Sequence, residues 1–200
     1  MTEEQRRKIK NYDYLNQIAI KGKTLFTGSS LMEMFPICEI ARSREIKEIV
    51  YNRGVGGLNT DEFLEYIHTL LLDLEPSKIF INIGTNDIKE DNFGDRWFDH
   101  LMDNYRKILE IIYEKLDKPE IYVMAFYPAN LHLPWQTVES IEWMNYGHRR
   151  ILRDVTMNLR KLPKLLDVII WTAISILLIE TENRKRSMLL MAFICMQKDI

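Results

Sequence analysis

The chain has 200 residues, 46% of them apolar and 28% charged, and its formal net charge is −2. This length suits one domain with a substantial core, and this charge excludes a global basic field that would attract nucleic acid or anionic lipid. Residues 1–10 lack the apolar segment of a secretory signal, and no stretch is long enough for a membrane span. The two cysteines, Cys38 and Cys195, lack metal-ligand spacing and favour a reducing, cytoplasmic setting. No metal or cofactor is expected.

Predicted helices and strands alternate in the first half of the chain. The N-terminal segment, up to about Ile20, has helical spacing of its apolar residues, which are Ile9, Tyr12, Leu15 and Ile18. Residues 24–28 predict a short strand, and residues 46–54 predict a second strand that ends in a glycine-rich turn. Residues 60–74 predict an amphipathic helix that Thr60 can cap.

The same alternation continues in the second half. Residues 77–87 predict a third strand, apolar along nearly its full length, as expected for a strand covered on both faces. A long helix is predicted for residues 98–116, a fourth strand for 120–128, a further helix for 141–162 and the start of a fifth strand for 164–170. Strands separated by helices predict an α/β fold with three α/β/α layers and a mainly parallel, flavodoxin-like sheet of about five strands.

Polar residues follow three of these strands at the point where each strand ends. The first strand ends in Gly28-Ser29-Ser30, the second in residues 52–57 (NRGVGG) and the third in residues 84–87 (GTND). Because ligands bind outside the carboxyl ends of parallel strands, we expect a hydroxyl, a flexible backbone and a side-chain amide to meet there. These groups are the components of acyl transfer, which needs a nucleophile and oxyanion donors.

Three motifs carry these residues, FTGSSLMEMFP, NRGVGGLNT and INIGTNDI. Their order and spacing resemble the motif blocks of the SGNH hydrolases, also called the GDSL esterase/lipase family. Each motif alone is a weak signal, whereas three in order at predicted strand ends are a strong one. The resemblance covers roughly residues 23–168, and within the family it is nearest to the bacterial branch akin to platelet-activating-factor acetylhydrolase.

The resemblance implies roles for individual residues. Ser30 would be the catalytic nucleophile, and its N–H, the N–H of Gly57 and the side-chain amide of Asn86 would form the oxyanion hole. Ser29 stands where the family usually has Asp, so a softer turn is expected, and Ser29 is a substrate-binding candidate. His132, in the loop after the fourth strand, is the other substrate-binding candidate, with a solvated loop histidine as the alternative.

Each assignment also has a plainer alternative. Ser30 could be a turn or cap residue, Gly57 an ordinary turn glycine and Asn86 a helix cap, while Asp87 is predicted to be structural. His68 and His100, which also lie on predicted helices, are expected at the surface.

The family's catalytic base is missing from the sequence. The resemblance implies an Asp-x-x-His motif near the C-terminus, with the Asp orienting the imidazole, but no such motif occurs in the chain. The last histidine, His148, lies on the apolar stripe of a predicted helix, so a packed histidine is expected there and a substitute base is the alternative. Residues 169–200 also fit poorly as the last strand, loop and helix of the domain, and are predicted to be an aberrant segment.

Back-translation suggests one explanation of this segment. With allowed codons for residues 186–199 (RSMLLMAFICMQKD), reading two bases later encodes KYAIDGIHMYAKG, which has the Asp-Gly-Ile-His order that closes this family. Some of this match depends on codon choice, but Met191-Ala192 always yields Gly in that frame, and Phe193-Ile194 always yields His or Tyr. The hypothesis is a change of reading frame between Asp167 and Glu180, and the alternative is a divergent C-terminus with chance codon overlap.

Three functions follow as competing predictions. The first is a serine ester hydrolase that acts on small acyl or acetyl esters through an acyl-enzyme on Ser30, with its activity in this chain depending on the missing base. The second is a catalytically dead, esterase-like binding protein. The third, a flavodoxin-like nucleotide or phosphate binder, is weaker because NRGVGGLNT matches neither the dinucleotide nor the P-loop spacing. A small ester is the expected partner, nucleic acid is not, and a homo-oligomer is left open.

Overall fold

The structure is a computed structural model that describes residues 1–88 and 96–124, and the backbone of residues 169–171. Its strands are β1 (Thr24–Gly28), β2 (Val50–Gly54), β3 (Lys78–Asn82), β4 (Glu120–Met124) and β5 (Ile169–Trp171). All pair in parallel in one sheet with the order β2-β1-β3-β4-β5. This is the flavodoxin-like order, and it confirms the predicted α/β fold with about five strands.

Helices cover both faces of this sheet. Among the described residues the α-helices are α1 (Glu3–Asn16), α2 (Ser30–Glu33), α3 (Ile37–Ser43), α4 (Thr60–Glu65), α5 (Ile67–Leu70) and α6 (Trp97–Lys115). Two 3₁₀ turns, Leu72–Leu74 and Thr85–Asp87, precede and follow β3. No helix in this described part of the chain is long and apolar enough to cross a bilayer.

The core has two parts because neighbouring side chains of a strand point to opposite faces of the sheet. Leu25 of β1 packs with the buried side chains of α4, α5 and α6, whereas Phe26 packs with those of α2 and α3. Phe26, Phe80 and Tyr122 stack across β1, β3 and β4, with ring centroids 4.5 and 4.6 Å apart. Both faces of β1 are therefore buried, as the apolar sequence of the central strands requires.

The helix predicted for residues 60–74 is broken into α4, α5 and a 3₁₀ turn. The N-cap of α4 is Asn59. Its side chain accepts a hydrogen bond from the N–H of Glu62, and the Glu62 side chain accepts one from the N–H of Asn59. The prediction of Thr60 as the cap was therefore wrong. Thr60 is instead the first residue of α4, and its side chain is engaged elsewhere. The apolar face of the segment is still buried, because Phe63, Ile67, Leu70 and Leu74 lie in the core.

The predicted apolar stripe of α1 is also partly wrong. Ile9 is buried, but Leu15 is 48% exposed and Ile18, beyond the end of the helix, is 81% exposed. The face that meets the rest of the protein includes Asn16, which is 4% exposed. Polar contacts therefore act together with the buried Ile9 in orienting α1.

The predicted strands are longer than the observed ones, because β2 begins only at Val50 and β3 ends at Asn82. The predicted start of a fifth strand agrees with β5, which overlaps it. The predicted helix over 141–162 and residues 172–200 of the segment predicted to be aberrant lie outside the described residues.

Candidate active site

The predicted nucleophile, Ser30, begins α2 directly after β1 ends, and it is half-buried. The preceding residue, Ser29, is 1% exposed and makes no side-chain bond that caps α2. The backbone holds this turn instead, because the N–H of Ser29 donates to the carbonyl of Asn82 (3.0 Å) and its carbonyl accepts from the N–H of Glu33 (2.9 Å). The substrate-binding role predicted for Ser29 stays a prediction.

The turn after β2, residues 54–57, is here called the glycine turn. The Asn52 side chain fixes its start, donating to the carbonyls of Met32 (2.7 Å) and Phe35 (3.0 Å) and accepting from the N–H of Gly54 (2.8 Å). At Gly54 the strand end passes so close to α2 that a Cβ would overlap the backbone of Glu33. Only glycine permits this approach, which brings the turn against the helix that begins with Ser30.

The glycine turn also reaches Ser30 itself. A Cβ placed on Gly56 would lie 3.7 Å from the Cβ of Ser30, so these two residues are neighbours. Gly57 is exposed and has φ +78°, a backbone conformation that favours glycine. The missing side chain makes room for the Gln5 amide, whose nitrogen would lie 2.8 Å from a Cβ at this position.

The turn after β3, residues 84–87, is here called the asparagine turn. It begins with Gly84 at φ +114° and continues as the 3₁₀ turn that contains Asn86. The half-buried Asn86 side chain donates to the carbonyl of Leu58 (2.8 Å), the residue that follows the glycine turn. At the carboxyl ends of β1, β2 and β3, the residue before Gly57 therefore lies beside Ser30 and the residue after Gly57 is bonded to Asn86.

A buried carboxylate anchors the asparagine turn. Asp87 is 2% exposed and accepts from the N–H of Thr60 (3.0 and 3.1 Å) and from the Thr60 hydroxyl. The side chain of Asn104 on α6 donates in turn to the Thr60 hydroxyl (2.9 Å). Burial raises the pKa of Asp87 to about 6, while the bonds from Thr60 oppose that rise. This contact is structural, as predicted for Asp87.

A tyrosine holds the end of β3 in the same region. The Tyr105 hydroxyl, fully buried, donates to the carbonyl of Ile83 directly before the asparagine turn. Burial raises the pKa of Tyr105 well above its ordinary value. The tyrosine therefore remains a neutral donor, and its contact is structural.

The described histidines do not serve Ser30 in this structure. His100, expected at the surface, is half-buried on α6 and lies 2.8 Å from the carboxylate of Asp61. His68, on α5, is 75% exposed, as expected. The predicted substrate-binding His132, the alternative base His148 and the back-translated segment lie outside the described residues.

Sequence reasoning missed a group of residues that surrounds the glycine turn. Four residues of α1 follow one another at helical spacing and contact the glycine turn, its partner Glu33 or the adjoining Arg53: Gln5, Lys8, Tyr12 and Asn16. The Tyr12 hydroxyl donates to the carbonyl of Gly54 (2.9 Å), and burial raises the pKa of that phenol. The signal in the sequence was this polar spacing of three and four residues, which the apolar pattern of the same helix concealed.

Comparison with known proteins gives the family and the fold. The sequence model of the GDSL-like lipase/acylhydrolase family matches residues 39–165, a range that includes Gly57 and Asn86 and begins after Ser30. A search of the curated proteins gave no match.

Solved structures resemble this fold over most of the chain. A Streptococcus pneumonia protein described as a platelet activating factor superposes with a TM-score of 0.72 at 23% identity, covering 86% of this chain and 75% of its own. A GDSL-like lipase from Bacteroides thetaiotaomicron has a TM-score of 0.64 at 18% identity, covering 82% and 77%. An acetyl-xylooligosaccharide esterase variant from Geobacillus Stearmophilus has a TM-score of 0.55 at 14% identity, covering 77% of each chain. At these identities the similarity concerns the fold, whereas the sequence match spans well over half of the 200 residues, and the protein therefore belongs to the GDSL-like lipase/acylhydrolase family.

Proposed function

We propose that the protein is a serine ester hydrolase whose nucleophile is Ser30 and whose oxyanion donors are the N–H groups of Ser30 and Gly57 and the amide of Asn86. The family is one of ester hydrolases, and a structural relative is named for acetyl ester hydrolysis. Small acyl or acetyl esters are therefore the proposed substrates.

One arrangement carries the proposal: the glycine turn lies against the other two motifs, with Gly56 beside Ser30 and the carbonyl of Leu58 bonded to the Asn86 side chain. This contact between three segments that are far apart in sequence supports the assignment of a hydroxyl, a glycine peptide and a side-chain amide to one site. In the proposed reaction the Ser30 Oγ attacks the ester carbonyl carbon, and its proton passes to a base. The C–O bond to the alcohol then breaks as the base returns the proton to the departing oxygen. Water next attacks the acyl-serine and gives a proton to the base, the acid is released, and the base returns that proton to Ser30. Each oxyanion donor contributes about 3 kcal/mol to the transition state.

The proposed reaction needs a base, and the sequence contains no Asp-x-x-His motif to supply it. A serine hydroxyl is a weak nucleophile until a positioned imidazole accepts its proton. This absence favours a second candidate, an esterase-like protein that binds esters without turnover. We propose further that the chain forms a single domain, and that a change of reading frame between Asp167 and Glu180 removed the base.

A fluorophosphonate probe and a short-chain nitrophenyl ester separate these candidates. The ester hydrolase reacts with the probe at Ser30 and turns over the ester, and Ser30→Ala abolishes both reactions. The binding protein binds the ester without steady turnover. A probe adduct at a serine other than Ser30 would overturn the nucleophile assignment.

The reading-frame proposal is tested with four proteins: the unaltered chain and a chain restored to end in the Tyr-x-x-Asp-Gly-Ile-His-Met segment, each with and without the substitution Ser30→Ala. Restoration should raise ester turnover by orders of magnitude, because loss of a catalytic serine or its base costs on the order of a million-fold in subtilisin. Ser30→Ala should abolish the gain. Equal turnover in the unaltered and restored chains would show that another base already serves Ser30.

A further inference from the structure

The helix α1 bonds to the peptide that the proposed function uses as an oxyanion donor. The side-chain amide of Gln5 donates from Nε2 to the carbonyl of Gly56 at 2.7 Å. That carbonyl belongs to the same peptide unit as the N–H of Gly57. We propose that Gln5 is a positioning residue for the oxyanion hole, an inference that rests on the proposed function.

The planar peptide makes this contact directional. In a trans peptide the carbonyl and the N–H point in opposite directions, and no cis peptide occurs in the described residues. By holding the Gly56 carbonyl toward α1, Gln5 directs the Gly57 N–H away from α1. Donation to the carbonyl also polarises the peptide and strengthens its N–H as a donor.

The Gln5 amide is itself held in one orientation. Its Oε1 accepts from the N–H of Thr2 at 2.6 Å, in the capping box that begins α1. With the oxygen engaged there, the nitrogen faces the glycine turn. A Cβ on Gly57 would lie 2.8 Å from this nitrogen, so the contact depends on glycine at that position.

A second contact fixes the peptide on the other side of Gly56. The N–H of Gly56 donates to the Glu33 carboxylate, which is paired with the Lys8 ammonium. Glu33 lies on α2, three residues after Ser30. Both peptides of Gly56 are therefore held, one by the helix that carries the proposed nucleophile and the other by α1.

Consecutive glycines need such restraint because they have the widest choice of backbone conformations. If Gln5 is lost, rotation of the Gly56–Gly57 peptide removes a donor from the oxyanion hole for part of the time. Loss of a complete donor lowers kcat by about 100- to 1000-fold, so partial loss is expected to lower the reaction rate by about tenfold or more.

The variant Gln5→Glu separates this role from helix capping. Glutamate is the usual partner of threonine in a capping box and suits the positive end of a helix, so α1 keeps its cap. Its carboxylate cannot donate to the Gly56 carbonyl. Gln5→Met removes the donor without adding charge and keeps the length of the side chain. Thr2→Ala is the matched control, since it removes the cap and leaves the Gln5 donor in place.

The test measures reaction of Ser30 with a neutral short-chain fluorophosphonate in the chain restored to carry the base, and records the ¹H–¹⁵N resonance of Gly57 in both the unaltered and the restored chain. We expect Gln5→Glu and Gln5→Met to lower the maximal inactivation rate constant by about tenfold or more. The probe concentration that gives the half-maximal rate should change little. Both variants should also shift or broaden the Gly57 resonance. Thr2→Ala should lower the melting temperature alone.

Unchanged inactivation in both Gln5 variants would overturn the positioning role and leave Ser30 as nucleophile. Failure of the restored chain to react at Ser30 would overturn the proposed function, and the positioning role with it.

Discussion

The glycine turn and the asparagine turn lie side by side at the same edge of the sheet, yet they are held in different ways. The glycine turn is bonded to half-buried or exposed side chains such as Gln5, Tyr12 and Glu33, which reach it from helices on either side. The asparagine turn is anchored from within by Asp87 and Thr60, which are 2% and 0% exposed. A polar contact between solvent-exposed side chains contributes little to stability, whereas a buried polar group that loses its hydrogen-bond partner destabilises the fold strongly. The comparison teaches that side-chain contacts orient the first turn while stabilising the fold little, and that those of the second turn support the fold.

The largest effect is expected where the glycine turn depends on backbone packing instead of side chains. Gly54→Ala places a Cβ where it overlaps the backbone at Glu33. Backbone atoms cannot move aside by a change of rotamer, so the overlap must shift α2 or β2. We expect a loss of more than about 3 kcal/mol in the free energy of unfolding, measured with urea. Gly22→Ala is the control, because nothing lies within 4 Å of its Cβ, and its positive φ alone should cost about 1 kcal/mol. Equal losses would show that the close approach of β2 and α2 is not needed.

The asparagine turn should give the protein a pH-dependent stability. The pKa of Asp87 is about 6 in the folded protein against an ordinary value of 3.8, so the folded state holds this proton more tightly than the unfolded state does. The contribution of Asp87 to the free energy of unfolding is therefore highest below pH 4. It falls by about 3 kcal/mol as the pH rises through 6.

The measurement for Asp87 is urea unfolding of the protein and of Asp87→Asn between pH 3.5 and 7.5. The stability of the protein relative to the variant should fall across that window, because asparagine has no proton to lose. A difference between the two proteins that is constant with pH would contradict the raised pKa.

Thr60→Val tests the donor to that carboxylate. The loss of the hydroxyl leaves Asp87 with fewer bonds in a buried site, so we expect about 2 kcal/mol of destabilisation at pH 7 and less at pH 4. Thr27→Val is the matched control, since Thr27 is also fully buried but its hydroxyl donates to the neutral carbonyl of Leu70 (2.9 Å). It should cost about 1 kcal/mol at either pH. The comparison fails if the two variants share one pH dependence.

The smallest effect is expected on the side-chain contacts of the glycine turn. Tyr12→Phe removes one half-buried hydrogen bond to the carbonyl of Gly54, and about 1 kcal/mol of stability should be lost. Tyr14→Phe is the control, since Tyr14 is 56% exposed and should change stability by less than about 0.5 kcal/mol. A loss at Tyr12 as large as that at Thr60 would remove the contrast between the two turns.

The sequence by itself determined the alternation of helices and strands, the parallel sheet and the edge at which the motif residues meet. Apolar strands covered on both faces require helices on both sides, and parallel strands bring their carboxyl ends to one edge. Ser30, Gly57 and Asn86 could therefore be expected near one another, because each follows a strand at that edge. Their predicted proximity needed only local patterns and the order of the motifs.

Only the tertiary structure decided what holds those residues. The bond from Gln5 to the Gly56 carbonyl and the bond from Thr60 to Asp87 join residues 51 and 27 positions apart. The sequence does not identify the partners in such contacts, since the polar spacing that includes Gln5 on α1 fits a solvated helix face equally well until the helix is docked. The same reason explains the error at Thr60, whose hydroxyl could cap a helix locally but bonds to Asp87 once β3 lies beside α4. The local sequence favours one hydrogen-bond partner for each polar group. The tertiary contacts that bury the group determine which partner it has in the folded protein.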